Sequence, residues 1–325
     1  MKIKIISPYF LKENASLPKH FQLYLNSCGK NPEYEWLFIS NADMEQYQVP
    51  QNVVIVKQEF EAFRKFVQSK FDFPISLENP YKLCDYKVLY GYIFAEYLEG
   101  FDFWGYADST DLIWGKLSDF ITEDVLRQYD KIYTKGHLTL YRNKKEYVEC
   151  FLNYEKDGIT YKDALESRES WATDETGKIN INTAWREIGY SEYVQESDIA
   201  DLSPLHFEFR MAMQLPSGKI LEENNKNRVF EWQKGKLYGY YVQEDEVIKE
   251  EFAYLHFQKR DMKLNVDTET LKDHFFVRPN EFVDNLSIKA DEIKKITRHK
   301  SFYIQFFLLK YKGLRDRIKR RKVHG

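Results

Sequence analysis

A short β-branched run at the very start, followed by a helix-length segment and two further apolar runs, constrains this chain more than anything else in it. Lys2–Ser7 (KIKIIS) is closed by Pro8 and reads as a buried strand at the start of the fold. Leu17–Cys28 predicts a helix, with Gly29 as its stop. Glu35–Ser40 (EWLFIS) and Asn52–Val56 (NVVIV) then supply two further strands. Strand–helix–strand alternation of this kind predicts an α/β domain built on a mostly parallel sheet.

The pattern continues downstream. Phe60–Phe71 and Tyr81–Leu98 predict a helical pair. The second helix is bracketed by Pro80 and Gly100, with Leu83, Tyr86, Tyr90, Ile93, Phe94 and Tyr97 on one broad face. Asp102–Ala107, Lys131–Thr134 and Leu138–Tyr141 read as strands, and 155–180 as a polar loop-and-helix excursion. Arg228–Val242 alternates around Lys234-Gly235, a hairpin signal, and Ala253–Phe257 is a late strand. No clean linker interrupts the chain before about residue 285, so the expected partition is one domain over 1–285 and a tail over 286–325.

Charge narrows the function. Over 325 residues, 48 basic and 51 acidic side chains leave a net of only −3, which argues against a uniformly basic nucleic-acid binder. A hydrophobic share of 43% argues against a disordered chain. No apolar run approaches the length of a spanning helix. The opening MKIKIISPYF has no apolar core or cleavage site of a secretory leader. Cys28, Cys84 and Cys150 form no CxxC pair, so neither a disulfide framework nor a zinc ribbon is expected, and a reducing cytoplasm is the default. The balance is nevertheless uneven. Residues 294–325 hold 12 Lys/Arg against one acid, a net of +11, which leaves the rest of the chain at −14.

Phe101–Leu117 (FDFWGYADSTDLIWGKL) is the most informative segment. Asp108 and Asp111 sit where an apolar strand runs out. Ligands of open α/β sheets bind at the carboxyl ends of strands. Carboxylates converging there suit a hard divalent cation that neutralises charge on a departing phosphate. The competing reading is a polar turn, for which Asp and Ser are common residues.

A strand ending in a DxD-like acidic turn, then an apolar run and a Gly, resembles the metal-binding motif of GT-A glycosyltransferases. The fuller string KLCDYKVLYGYIFAEYLEGFDFWGYADSTDLIWGKL is similar to a bacterial glycosyltransferase-like family associated with surface (capsular or O-antigen) polysaccharide synthesis. SPYF after the first strand and YLHFQKR at Tyr254–Arg260 match in order. One departure stands out. Asp111 takes the place of the second Asp of the DxD, but Ser109 takes the place of the first, with Asp108 one position earlier.

The resemblance implies a GT-A, Rossmann-like fold, with a donor-nucleotide half over about 1–135 and an acceptor half over about 136–285. It implies a hexosyltransferase-type enzyme that moves a sugar from a nucleotide-diphosphate donor, UDP being the expected nucleotide, to a polysaccharide or lipid-linked glycan, assisted by Mn²⁺ or Mg²⁺. Ser7, Pro8 and Tyr9 would border the nucleotide, with Asn41 a weaker neighbour. Lys82, Asp85 and Lys87 would face the diphosphate or donor sugar. His256 would join Asp108 and Asp111 around the metal, and Lys259 and Arg260 would contact diphosphate. Asp174 or Glu175 would be the general base of an inverting enzyme, and Gly136-His137 would border the acceptor. Each residue also has an ordinary reading: a strand-end turn, a solvated helix face, a hydrogen-bonded histidine, acids at a helix start. The alternative function is a catalytically silent glycosyltransferase-like protein that binds carbohydrate at a membrane, which the DxxD spacing keeps open. A sugar nucleotidyltransferase is disfavoured, because SPYFLKENASLP holds no glycine for a phosphate loop.

Ser301–Tyr311 (SFYIQFFLLKY) is aromatic and apolar, and the dense basic run Lys312–Lys322 follows it. This combination suits an interfacial helix on anionic lipid and would hold the protein peripherally on the inner face of the cell membrane. A packed terminal helix is the bland alternative, and no motif supports nucleic acid.

Overall fold

The computed structural model describes residues 1–214, 219–225, 227–298 and 303–323, without the side chains of 214, 312, 313 and 316–323. Most side chains of the basic run Lys312–Lys322, and residues 299–302 entirely, therefore lie outside what is described. The chain forms two compact units interleaved in sequence. The first takes in Met1–Thr110 and Lys116–Glu196; the second takes in Asp111–Gly115 and most of the chain from Ser197 onward. Neither unit coincides with a continuous stretch such as 1–135 or 136–285.

The first unit is built on a seven-stranded, mostly parallel sheet. In chain order its main strands are β1 (Ile3–Pro8), β2 (Tyr34–Ser40), β3 (Val53–Lys57) and β4 (Phe103–Ala107). A strand of the second unit, β5 (Leu112–Trp114), comes next, and β6 (Lys131–Lys135) and β7 (Leu138–Arg142) return to the sheet. The spatial order is Glu192–Tyr193, β6, β7, β4, β1, β2, β3. β1 pairs in parallel with both β2 and β4, while β7 lies antiparallel between β4 and β6. Burial of Ile3, Ile5 and Ile6 accounts for the β-branched start. Lys4 is tolerated within it because its ammonium reaches Glu35 at 2.8 Å and lies over the Phe101 ring.

Expected elements recur with small shifts. Helix α1 runs Phe21–Gly29 rather than from Leu17, since Pro18 disfavours a helical residue before it. Helix α2 is Phe60–Gln68. The helix expected over Tyr81–Leu98 is broken instead into short turns: Pro80–Asp85, Lys87–Leu89, Tyr90–Ile93 and Ala95–Tyr97. The cause is visible at Asp85. Its backbone carbonyl accepts the Thr173 hydroxyl at 3.0 Å, and the Leu89 amide turns to the Tyr86 carbonyl, so the i→i+4 ladder is interrupted there. The intended apolar face survives: Leu83, Tyr86, Tyr90, Ile93 and Phe94 are buried.

The second unit carries two main sheets. Ile199–Asp201 pairs in parallel with Tyr254–His256, which pairs antiparallel with β5. A six-stranded sheet orders Glu246–Phe252, Lys236–Gln243, Arg228–Gln233, His274–Arg278, Glu281–Val283 and Lys263–Leu264. The expected hairpin turns at Lys234 (φ 49°) and Gly235 (φ 93°), two left-handed residues of the kind a two-residue hairpin loop requires. Glu244 and Asp245, at φ 49° and 68°, repeat that turn and bring in the third strand. The helices Ala290–Ile296 and Ile304–Val323 follow. Among the described residues, no helix is long and apolar enough to cross a membrane.

Candidate functional site

The strand order marks where a ligand of such a sheet would sit before any side chain is considered. From β1 the chain moves outward through β2 to β3, then returns to the other side of β1 as β4. Open α/β sheets bind ligands outside the carboxyl ends of strands where the order reverses in this way. Here that point lies between β1 and β4. Ser7, Pro8 and Tyr9 end one strand, and Asp108 follows the other. Ser7 Oγ donates to the Ala107 carbonyl at 2.9 Å and ties the two ends together. Tyr9 is held by its amide on the Ile39 carbonyl, and one ring face stacks near Phe38. Asn41 both accepts from and donates to the backbone of Leu11, at 2.8 and 3.1 Å, so its amide clamps the loop after β1.

Lys87 organises the polar cluster at this end of the sheet. Its ammonium donates to Asp108 Oδ1 and the Gly136 carbonyl, both at 2.8 Å, and stands 3.6 Å from Asp174 Oδ2. Burial opposes its charge, but Asp108 and Asp174 more than offset this and hold it well above the usual lysine range. Gly136 lies in the β6–β7 turn, after a bulge at Tyr133 (φ 63°). A Cβ at this position would stand 2.6 Å from Asp174 Oδ2, and its amide donates to Glu175 Oε1 at 2.6 Å. Glu175 thus fixes the turn, while Asp174 faces Lys87.

Asp174 is pushed up to about 7, first by burial and then by Glu175, Asp108 and Asp85, with Lys87 working the other way. An acid raised on folding favours the folded state at low pH and withdraws that stability as pH climbs from about 4 through 7. The displacement from 3.8 to about 7 corresponds to about 4 kcal/mol at most. Asp174→Asn cannot titrate, so its stability relative to wild type is expected to rise by up to that amount between pH 4 and pH 8. Urea unfolding at several pH values measures this; parallel curves would contradict it.

Two expected donor contacts are corrected here. Lys82 and Asp85 are almost wholly buried and paired at 2.6 Å. Lys82 also donates to the Ala164 and Glu169 carbonyls, and Asp85 accepts from the Trp171 and Thr173 amides. Both side chains are consumed in pinning the end of the helix Tyr161–Glu166 and the segment 167–173 that follows it.

The second unit gathers another set. Asp111 immediately precedes β5, and its carbonyl accepts the Phe257 amide. β5 pairs Leu112 with His256, and the parallel partner strand pairs Asp201 with His256. His256 Nε2 consequently lies 3.4 Å from Asp111 Oδ2, and Nδ1 lies 2.8 Å from Asp201 Oδ1, which also accepts from Gln258. Burial works against the imidazolium, yet Asp201 and Asp111 carry it up to about 10. Of the three expected metal ligands, Asp111 and His256 meet in this unit; Asp108 belongs to the first unit, where its Oδ1 accepts from Lys87. Asp201 escapes sequence reasoning, because its alignment with His256 rests on a parallel pairing across 55 residues.

Arg260 is a further correction. Its buried guanidinium donates through both terminal nitrogens to the carbonyls of Ser203, Phe207 and Glu208 and to Asn280 Oδ1, so those donors are spent on bracing loops. Lys259 is exposed.

An imidazole held at one nitrogen by a carboxylate, with a second carboxylate at the other nitrogen, is a familiar metal-ligand arrangement. The orienting acid fixes the ring and raises its basicity. Mixed carboxylate and imidazole donors suit Mn²⁺, and Mg²⁺ less well. Comparison with known proteins adds the following. No curated protein and no solved structure matches the chain. Residues 5–286 match a family described as of unknown function, DUF6625. The match spans most of the chain and stops short of the basic tail; the protein belongs to that family.

Proposed function

We propose that the protein is a metal-assisted glycosyltransferase that takes a sugar from a nucleotide-diphosphate donor, with UDP the expected nucleotide, and passes it to a glycan or lipid-linked acceptor. The observation that carries this reading is the Asp111–His256–Asp201 arrangement. Asp111 and His256 would hold Mn²⁺ or Mg²⁺, with Asp201 orienting the imidazole. His256 would ligate through a deprotonated Nε2, and a cation held there would supply positive charge for a departing diphosphate. The reversal of strand order beside β1 supports a nucleotide at Ser7–Tyr9, and a GT-A-type arrangement of the first unit is part of the proposal. Asp174, raised to about 7, is the carboxylate suited to receiving the acceptor hydroxyl's proton near neutral pH. Lys87 sets its charge, and Glu175 holds the turn beside it.

A second reading is favoured by one observation. Asp108, a candidate metal ligand, is already bonded to Lys87. A protein that retains the scaffold and binds carbohydrate without turnover would tolerate that pairing. Calorimetric titration with UDP, with and without Mn²⁺, separates the two: cation-dependent binding is expected of the transferase and not of the silent binder.

A further inference from the structure

The helix Ile304–Val323 shows two unlike sides over its described side chains, which end at Arg315. One is seated on the second unit. The Tyr303 ring just before the helix meets Phe207 edge-on at 6.1 Å, and its hydroxyl accepts from Asn280 Nδ2 at 3.1 Å. Gln305 donates to the Lys259 carbonyl, and Phe306 and Leu309 are half-buried. On the other side Ile304, Phe307, Leu308, Tyr311 and Leu314 are each 50–66% exposed. Their spacing of i, i+3, i+4, i+7 and i+10 makes one continuous stripe along the outer face. Exposed Lys310 and Arg315 accompany it. Counted from the sequence, residues 294–325 carry 12 Lys/Arg against one acid, while the rest of the chain is acidic.

We propose that this helix docks on an anionic lipid surface, with the Ile304–Leu314 stripe in the headgroup–acyl boundary and Lys310 and Arg315 against the headgroups. The charge of the tail is complementary to such a surface, and the acidic remainder of the chain would be repelled by it. The apolar stripe selects lipid over nucleic acid, since a phosphate backbone rewards the charges and leaves five exposed apolar side chains without a role. The helix lies on the surface and does not cross it. The cytoplasmic leaflet of the cell membrane has the required charge.

The test uses the full-length chain and phosphatidylcholine vesicles with and without phosphatidylglycerol. The wild type is expected to sediment with the anionic vesicles, to stay in solution with the neutral ones, and to be released by high salt. Phe307→Ser/Leu308→Ser/Tyr311→Ser keeps every charge and alters only exposed positions. It should retain the wild-type melting temperature and bind anionic vesicles at least about tenfold more weakly. Equal sedimentation of this variant, or no sedimentation of the wild type, overturns the proposal. So does preferential binding to a labelled DNA duplex that the triple variant retains.

Discussion

Asp111→Ala is expected to lose UDP-sugar turnover by about 10²–10³-fold, the scale of removing one group that stabilises transition-state charge. The loss should come with disappearance of cation-dependent UDP affinity, and without collapse of the fold. The Asp111 side chain is partly exposed, its structural contribution to the Phe257 amide comes from the backbone carbonyl, and His256 keeps Asp201. Asp201→Asn should be milder, about 10–100-fold in metal affinity, because it disturbs the orientation of a ligand and removes none. That graded pair distinguishes a metal centre from a buried ion triad. In a triad with only a structural role, both changes would move the melting temperature and neither would alter the response of UDP binding to Mn²⁺.

The largest effect on stability belongs to the Lys82–Asp85 pair. Removing one partner of a buried ion pair strands the other, at a cost of about 3–5 kcal/mol. Asp85→Ala also orphans the Trp171 and Thr173 amides. The expected fall in melting temperature is roughly 10 °C for a unit of this size. Lys82→Met combined with Asp85→Leu should recover part of it, since no buried charge is then unpaired, and the remaining deficit measures the lost amide partners. A single variant that melts like wild type would refute the claim that this pair holds the 164–173 segment. Scanning calorimetry of the three proteins decides it.

Local chemistry explains which parts of this architecture are readable in the sequence. β1 and the hairpin at Lys234-Gly235 depend on residues close in the chain, so patterning and turn residues predict them within a residue or so. The continuous helix over Tyr81–Leu98 is not realised, because its interruption is imposed by Thr173, 88 residues away. The same distance effect hides the fate of charged side chains. Lys82, Asp85 and Arg260 look like ligand contacts beside functional motifs, yet each is spent on loop carbonyls or amides that sequence spacing cannot bring near. His256 is legible as a candidate from its place in YLHF. Asp201 is not, since only the parallel register of two distant strands sets it against the imidazole.

The account rests on a cation at Asp111 and His256 that serves a nucleotide-diphosphate donor. Titrating UDP into the wild-type protein by calorimetry, with Mn²⁺ and then with EDTA, tests this most directly. Saturable binding that requires Mn²⁺ and vanishes with EDTA and in Asp111→Ala is the expected result. UDP binding of equal strength with and without the cation, or no binding in either condition, would contradict it.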